Sequence, residues 1–77
     1  MKYKRDNKSY YRILGAKITL AREMRGIKQQ DIALKLGISK AMYSNIEAGK
    51  NQIYVHTLAS ISEILDVKLE RLLKNDI

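Results

Sequence analysis

Residues Gln29–Glu47 read QQDIALKLGISKAMYSNIE. This stretch contains two short helical segments joined by a tight turn. In the first segment, Ile32, Ala33 and Leu36 recur at the spacing that places them on one face of a helix. Gly37 interrupts this period, and a glycine there favours the left-handed backbone conformation that ends a helix. This order of elements predicts a helix-turn-helix.

The second segment has a candidate cap and one apolar face. Ser39 is the candidate N-cap, because its hydroxyl accepts hydrogen bonds from the free N–H groups of a new helix. Tyr43 and Ile46 return to the apolar side, and the small Ala33 suits a close crossing of the two helices. The residues predicted to point away from the apolar side are Lys40, Ala41, Ser44 and Asn45.

The pattern resembles, position by position, the helix-turn-helix of the Cro/CI-type (lambda-repressor-like, XRE) family of bacterial and phage DNA-binding proteins. The resemblance extends over about residues 14–73, most of the chain. It implies an all-α fold, a compact five-helix lambda-repressor-like domain with a central helix-turn-helix. The matching residues are Gln29, Ile32, Ala33, Gly37, Ile38, Ser39, Ile46, Glu47 and Gly49, with Arg22 upstream and Leu58, Leu65, Val67 and Leu72 downstream.

Composition and length agree with this fold class. The chain has 77 residues, enough for one small domain, and 45% of them are hydrophobic. It has no proline and is rich in residues that favour helices. No alternating run is long enough for a sheet. We therefore expect an arm and one domain. Residues 1–8 form a basic, flexible N-terminal arm, and residues 9–77 form a single helix-turn-helix domain.

The periodicity divides the domain into helices. Ser9 is the expected cap of a first helix that includes Tyr10–Met24, and Gly15 within it either permits close packing or marks where the regular helix begins. Val55–Leu65 reads as a fourth helix, after which Asp66 takes a left-handed conformation. The remaining expectations are a short last helix at 69–73, frayed residues 74–77, and inward-facing Leu14, Ile18, Ala21, Leu58, Ile61, Ser62, Leu65 and Leu72.

The net charge and the scarcity of cysteine and histidine limit the classes of function that the sequence favours. The net charge is +7, and residues 1–12 carry five cations against one acid, which suggests a polyanionic partner such as DNA. The arm either contacts phosphates or is a disordered tail. With no cysteine and one histidine, no metal site, cofactor or catalytic centre is expected, so an enzyme is improbable. No apolar stretch is long enough for a membrane span, and we expect a cytoplasmic protein.

In a helix-turn-helix the second helix enters the major groove. Placed by the motif, the base-contacting residues are Ser39, Lys40, Ala41, Ser44 and Asn45.

Gln29 resembles the family glutamine that binds a phosphate and braces the recognition helix. The family usually has Ser or Thr at the position of Lys28. This lysine either contacts a phosphate or is simply exposed. The expected phosphate-contacting residues are Lys28, Gln29, Lys50, Asn51 and Tyr54.

The resemblance also implies a salt bridge between Arg22 and Glu47 beneath the DNA-binding face.

The function that the resemblance implies is that of a sequence-specific double-stranded DNA-binding transcriptional regulator, a repressor that binds a palindromic operator as a homodimer. Dimer contacts are expected from the C-terminal helices, where Leu69 and Leu73 leave apolar surface. The alternative is an antitoxin or accessory module whose main partner is another protein.

Overall fold

The computed structural model describes residues 7–74 and contains five α-helices. They are α1 (Asn7–Met24), α2 (Gln29–Leu36), α3 (Lys40–Ala48), α4 (Val55–Leu65) and α5 (Leu69–Leu73). No strand occurs within residues 7–74. The predicted all-α, five-helix domain with a central helix-turn-helix, formed by α2 and α3, is confirmed.

The first helix begins earlier than the sequence predicted. α1 starts at Asn7, two residues before Ser9, so the expected cap at Ser9 is wrong. Asn7 and Lys8, which were assigned to the flexible arm, are helical. The sequence did not predict this start of α1 because Asn7 and Lys8 are polar, and the apolar period appears only further along the helix. The rest of the predicted arm, 1–6, and the end of the chain, 75–77, lie outside the described residues.

The core is built from one apolar stripe of each helix. Ile18, Ile32, Tyr43, Ile61 and Leu65 are the largest fully buried side chains. They come from the first four helices and meet at the centre because α1 packs on α3 and α2 packs on both α3 and α4. The inward residues predicted for α4 are all buried, and so are Leu14, Ile18 and Leu72, whereas Ala21 is half-buried against the core.

The turns use left-handed residues where the sequence indicated them. Gly37 has φ 75° and ends α2, and its N–H donates to the carbonyl of Leu34. Asp66 ends α4 with φ 55°. A left-handed conformation costs a residue with a Cβ roughly 1–2 kcal/mol, but aspartate is among the residues that tolerate it best. The left-handed conformation expected of Asp66 is confirmed.

At the last helix one expectation fails. Leu69 was expected to leave apolar surface for a partner, but it packs against the core and is half-buried. α5 contacts both α1 and α4, and this sandwiching covers Leu69. Leu73 remains 42% exposed, as predicted.

Gly15 permits α1 to touch the backbone of α3. A Cβ built on Gly15 would lie 2.2 Å from the carbonyl oxygen of Glu47 and 2.8 Å from that of Ile46. Both atoms belong to backbone, so neither can move away without shifting the whole helix. Gly49 makes a second close approach, since its Cβ would lie 2.6 Å from the Cα of Arg12. Close packing, one of the two predicted roles of Gly15, is therefore its role.

We predict that Gly15→Ala destabilises the fold although it raises local helix propensity. The added methyl forces α1 away from α3, and overpacking of this kind costs about 1–3 kcal/mol. Gly26→Ala is the matched control, because its Cβ enters open space and the cost is limited to its left-handed φ of 70°, about 1 kcal/mol. Urea unfolding of both variants measures the difference. A Gly15→Ala variant as stable as the wild type would contradict the close contact.

Candidate nucleic-acid interface

α3 is anchored through one face and capped at its start. Tyr43, Ile46 and Glu47 are its buried residues. The Ser39 hydroxyl accepts a hydrogen bond from the backbone N–H of Met42 at 3.0 Å, which confirms the predicted cap. An N-cap of this type typically contributes about 1 kcal/mol to helix stability. The first turn of α3 is therefore well defined, which is where a recognition helix presents its side chains.

The predicted base-contacting residues do not all have the same exposure. Ser39, Lys40 and Ala41 are exposed, whereas Ser44 and Asn45 are half-buried. The side chains of Lys40, Ser44 and Asn45 have no hydrogen-bond partner within residues 7–74, so their donors and acceptors are available to a ligand. The protruding part of the face is thus the N-terminal turn of α3.

Met42 also lies in this first turn and is 56% exposed. Its thioether chain is apolar, long and flexible. It adds an apolar surface beside Ala41 on the otherwise polar end of α3.

The N-terminus of α2 has no side-chain cap. Lys28 occupies its N-cap position with an extended backbone and makes no side-chain cap hydrogen bond. The first N–H groups of α2 therefore lack the acceptor that Ser or Thr would supply. Gln29 is half-buried, and its Nε2 donates to Oε1 of Glu47 at 2.9 Å. The predicted bracing of α3 by Gln29 is confirmed.

The other expected phosphate contacts lie after α3. Lys50 and Asn51 are exposed in the loop that connects α3 to α4. Tyr54 occupies the N-cap position of α4 and is 75% exposed. Its ring stacks on that of His56, with centroids 5.7 Å apart and planes 12° apart. Tyr54 therefore lies outside the core, where a ligand can reach it.

Beneath this surface, the Glu47 carboxylate joins three helices. Arg22 of α1 donates from Nε to Oε2 of Glu47 at 2.6 Å and from Nη2 to Oε1 at 3.2 Å. Its Nη1 also donates to the carbonyl of Ile27 at 2.7 Å, in the turn before α2. The side chains of Arg22 and Glu47 are only 11% and 5% exposed. The salt bridge implied by the resemblance is present and largely buried.

The pKa values of three side chains are shifted at this junction, and that of Arg22 is raised by its hydrogen bonds to Glu47. Burial disfavours the Glu47 carboxylate, but hydrogen bonds, first that from Arg22, outweigh it and lower the pKa of Glu47. Burial raises the pKa of Tyr43 well above its ordinary value, and the neighbouring Glu47 carboxylate adds to the effect. The Tyr43 hydroxyl is buried without a well-aligned hydrogen-bond partner among the described residues.

Neither a metal site nor a membrane span is visible in the described part of the chain. Within residues 7–74, no group of three or more histidine, cysteine or acidic side chains is arranged to hold a metal ion. In the same range, no helix combines the length and apolar character needed to cross a membrane.

We predict that Glu47→Ala lowers the free energy of unfolding by about 3–5 kcal/mol, because it leaves the largely buried Arg22 guanidinium without its partner. The control is Glu63→Ala, which removes an exposed carboxylate that has no partner within residues 7–74. Surface changes of that kind usually stay within about 0.5 kcal/mol. Thermal or urea unfolding compares the two variants. Equal loss of stability would exclude a structural role for the pair.

We also predict that the contribution of Glu47 to stability is lost in acid. Its pKa is lower in the folded state than the ordinary value of 4.5. The stabilisation is therefore complete above about pH 4.5 and falls as the pH drops through the folded-state pKa. Unfolding free energies of the wild type and Glu47→Gln, measured between pH 7 and pH 3, should converge toward the acid end. A constant difference across that range would show that ionisation of Glu47 contributes nothing.

Comparison with known proteins agrees with the geometry. The sequence profile described as "Helix-turn-helix" matches residues 18–72. The chain is 42% identical over 55 residues to the uncharacterized HTH-type transcriptional regulator YqaE of Bacillus subtilis (strain 168). That alignment covers 71% of this chain and 47% of YqaE, so the matched part spans about half of the relative. No solved structure gives a significant match. This chain belongs to the Cro/CI-type (XRE) helix-turn-helix family.

Proposed function

We propose that this protein binds double-stranded DNA sequence-specifically and regulates transcription, acting as a repressor that occupies a palindromic operator as a homodimer. The observation that carries the proposal is the division of α3 into two faces. One face is locked to α1 and α2 through Glu47, and the other presents Lys40 and Asn45 without internal hydrogen-bond partners. A rigid helix with unsatisfied polar side chains suits recognition of base edges.

Base recognition follows from the chemistry of the exposed turn. Lys40 donates to O6 or N7 of guanine, Asn45 pairs with N6 and N7 of adenine, and Ala41 contacts the methyl group of thymine. Ser39 and Ser44 are suited to either donating or accepting. A well-formed bidentate pair discriminates against the wrong base by about 1–3 kcal/mol. Asn45 is half-buried, so it reaches the base edges only when α3 lies deep in the major groove of the DNA.

Phosphate contacts frame this helix on both sides. Gln29 uses one Nε2 hydrogen for Glu47 and keeps the second for a phosphate oxygen. The uncapped N–H groups of α2 and its dipole favour an anion at the same place, and Lys28 adds a full positive charge. On the other side, Lys50, Asn51 and Tyr54 supply donors from the loop and the start of α4.

A homodimer is proposed because one α3 touches few base pairs. Two copies related by a two-fold axis read two half-sites about 34 Å apart, which multiplies specificity. Leu73 at the end of α5 is the exposed apolar residue from which the dimer contact is proposed. Repression then follows from occupancy, because a bound dimer excludes other proteins from its operator. This activity implies a cytoplasmic location.

The proposal predicts a specific consensus and a loss of affinity when α3 is altered. Selection of binders from random DNA duplexes at physiological salt should yield a two-fold symmetric sequence. On that sequence, Lys40→Ala and Asn45→Ala should each weaken binding about tenfold or more, equivalent to at least 1.4 kcal/mol. Lys35→Ala is the matched control for Lys40, because Lys35 is an exposed lysine on α2 outside the proposed interface.

Three outcomes would contradict parts of this proposal. Salt-sensitive binding without any consensus would leave only nonspecific phosphate contact. An equal loss for Lys35→Ala and Lys40→Ala would show that net charge, not α3, determines affinity. A consensus without symmetry, together with a strict monomer in sedimentation of the free and bound protein, would exclude the homodimer.

A further inference from the structure

An open groove of about 900 Å³ lies between the second half of α1 and α5. None of its lining residues belongs to α2 or α3, so it is separate from the proposed base-contacting surface. On the α1 side the lining includes Leu20 and Met24, which are 59% and 78% exposed. On the other side it includes Val67, which is half-buried, and the buried Leu72. The groove therefore has apolar residues on both walls.

The α1 wall presents two exposed apolar side chains, Leu20 and Met24, outside the buried stripe of that helix. Ile18 and Leu14 point into the core, whereas the residues that line the groove follow a different row. That row consists of Lys17, Leu20, Ala21 and Met24, at the i, i+3, i+4 and i+7 spacing of a helix face. It is about 10 Å long, or two helical turns. Side chains at this spacing lie on one face of a helix, where they can contact a second helix.

The rim of the groove is cationic. Its lining includes five lysines and arginines against two carboxylates. Arg25 is occupied by Asp66, since its Nη2 donates to the Asp66 carbonyl at 3.1 Å and lies 3.7 Å from Oδ2. Lys17 donates to the backbone carbonyl of Lys74. Lys68 and Arg71 form no ion pair or side-chain hydrogen bond within residues 7–74, and both are exposed. The wall formed by α5 therefore offers positive charge to a partner.

The geometry points to a docking site for an acidic amphipathic helix of a protein partner. Apolar side chains of that helix, at i, i+3, i+4 and i+7, would cover Leu20 and Met24, and its acidic flank would face Lys68 and Arg71. Helix-in-groove recognition uses this combination of a spaced apolar row and a charged border. Electrostatic complementarity at the rim selects the orientation of the partner and its sign of charge.

Charge and polarity distinguish this occupant from two others. A second copy of the chain, with a net charge of +7, would offer Lys68 and Arg71 less complementary charge than an acidic helix does. A DNA phosphate backbone would satisfy Lys68 and Arg71 but would leave Leu20 and Met24 exposed to water. An acidic amphipathic helix satisfies both the apolar and the charged residues. The site does not depend on the proposed DNA recognition and leaves α3 accessible.

The experiment uses a probe peptide and the full ¹⁵N-labelled chain without DNA. The probe is a helix-forming peptide of about three turns with leucines at i, i+3, i+4 and i+7 and glutamates elsewhere. Titration followed by amide chemical shifts should move signals of α1 residues 17–24 and of α5, and leave those of α3 in place. A peptide with lysine in place of glutamate, and one with the same composition but no leucine stripe, should bind at least tenfold more weakly.

Matched variants localise the effect. Leu20→Asp and Met24→Glu should each weaken binding of the probe at least tenfold. Leu34→Asp should not, because Leu34 is 79% exposed on α2 and lies outside the groove. Lys68→Glu combined with Arg71→Glu should also weaken binding at least tenfold, whereas Lys35→Glu should leave it unchanged. Met24 is so exposed that its replacement does not threaten the fold, and circular dichroism of each variant verifies this.

Four results would overturn the inference. The first is equal binding of the glutamate and lysine peptides, and the second is a chemical-shift pattern that avoids α1 and α5. The third is a response of the groove signals to a short DNA duplex, which would assign Lys68 and Arg71 to nucleic acid. The fourth is a response of the Leu20 and Met24 signals to protein concentration alone, which would make a second copy the occupant; Leu73, from which the homodimer contact is proposed, does not line the groove.

Discussion

The arrangement of the first three helices depends on one buried carboxylate. Glu47 lies on α3, receives two hydrogen bonds from Arg22 of α1 and one from Gln29 of α2, and is almost fully covered. A buried charge is costly unless its hydrogen-bonding capacity is used, and here three donors use it. The cost of misplacing any of the three helices is therefore high. This constraint holds α3 in a single orientation relative to the start of α2.

Close backbone contact between α1 and α3 holds the same helices in place as the Glu47 carboxylate does. Gly15 and Gly49 bring α1 against the end of α3 so closely that no side chain would fit between them. Polar pairing and close approach thus act on the same few residues of α3, at the end opposite its exposed turn. The Ser39 hydroxyl caps that turn, and the Lys40 side chain within it has no hydrogen-bond partner among residues 7–74. Rigidity at one end and unsatisfied polar groups at the other suit α3 to recognition.

The positive charge of the chain serves two chemically different surfaces in our proposals. Around α3 it accompanies amide and hydroxyl groups, a combination suited to phosphates and base edges. Along the groove between α1 and α5 it borders Leu20 and Met24, which a nucleic acid would leave uncovered. Net charge indicates a preference for anionic partners in both cases. The neighbouring uncharged side chains decide which kind of anionic partner fits each surface.

Features that depend on residues close together in the sequence could be predicted from the sequence. Helical periodicity predicted the helices and most of the core, Ser39 predicted the cap, and Asp66 predicted a left-handed turn; the family resemblance supplied the Arg22–Glu47 pair. Tertiary structure alone decided which role Gly15 plays, that Leu69 is covered while Leu73 is not, and that α1 and α5 enclose a groove. The physical reason is that these features require contact between segments distant in sequence, and local spacing does not specify how closely two helices approach. The base and phosphate contacts of α3 and its surroundings stay predictions, because they depend on a partner as well as on the fold.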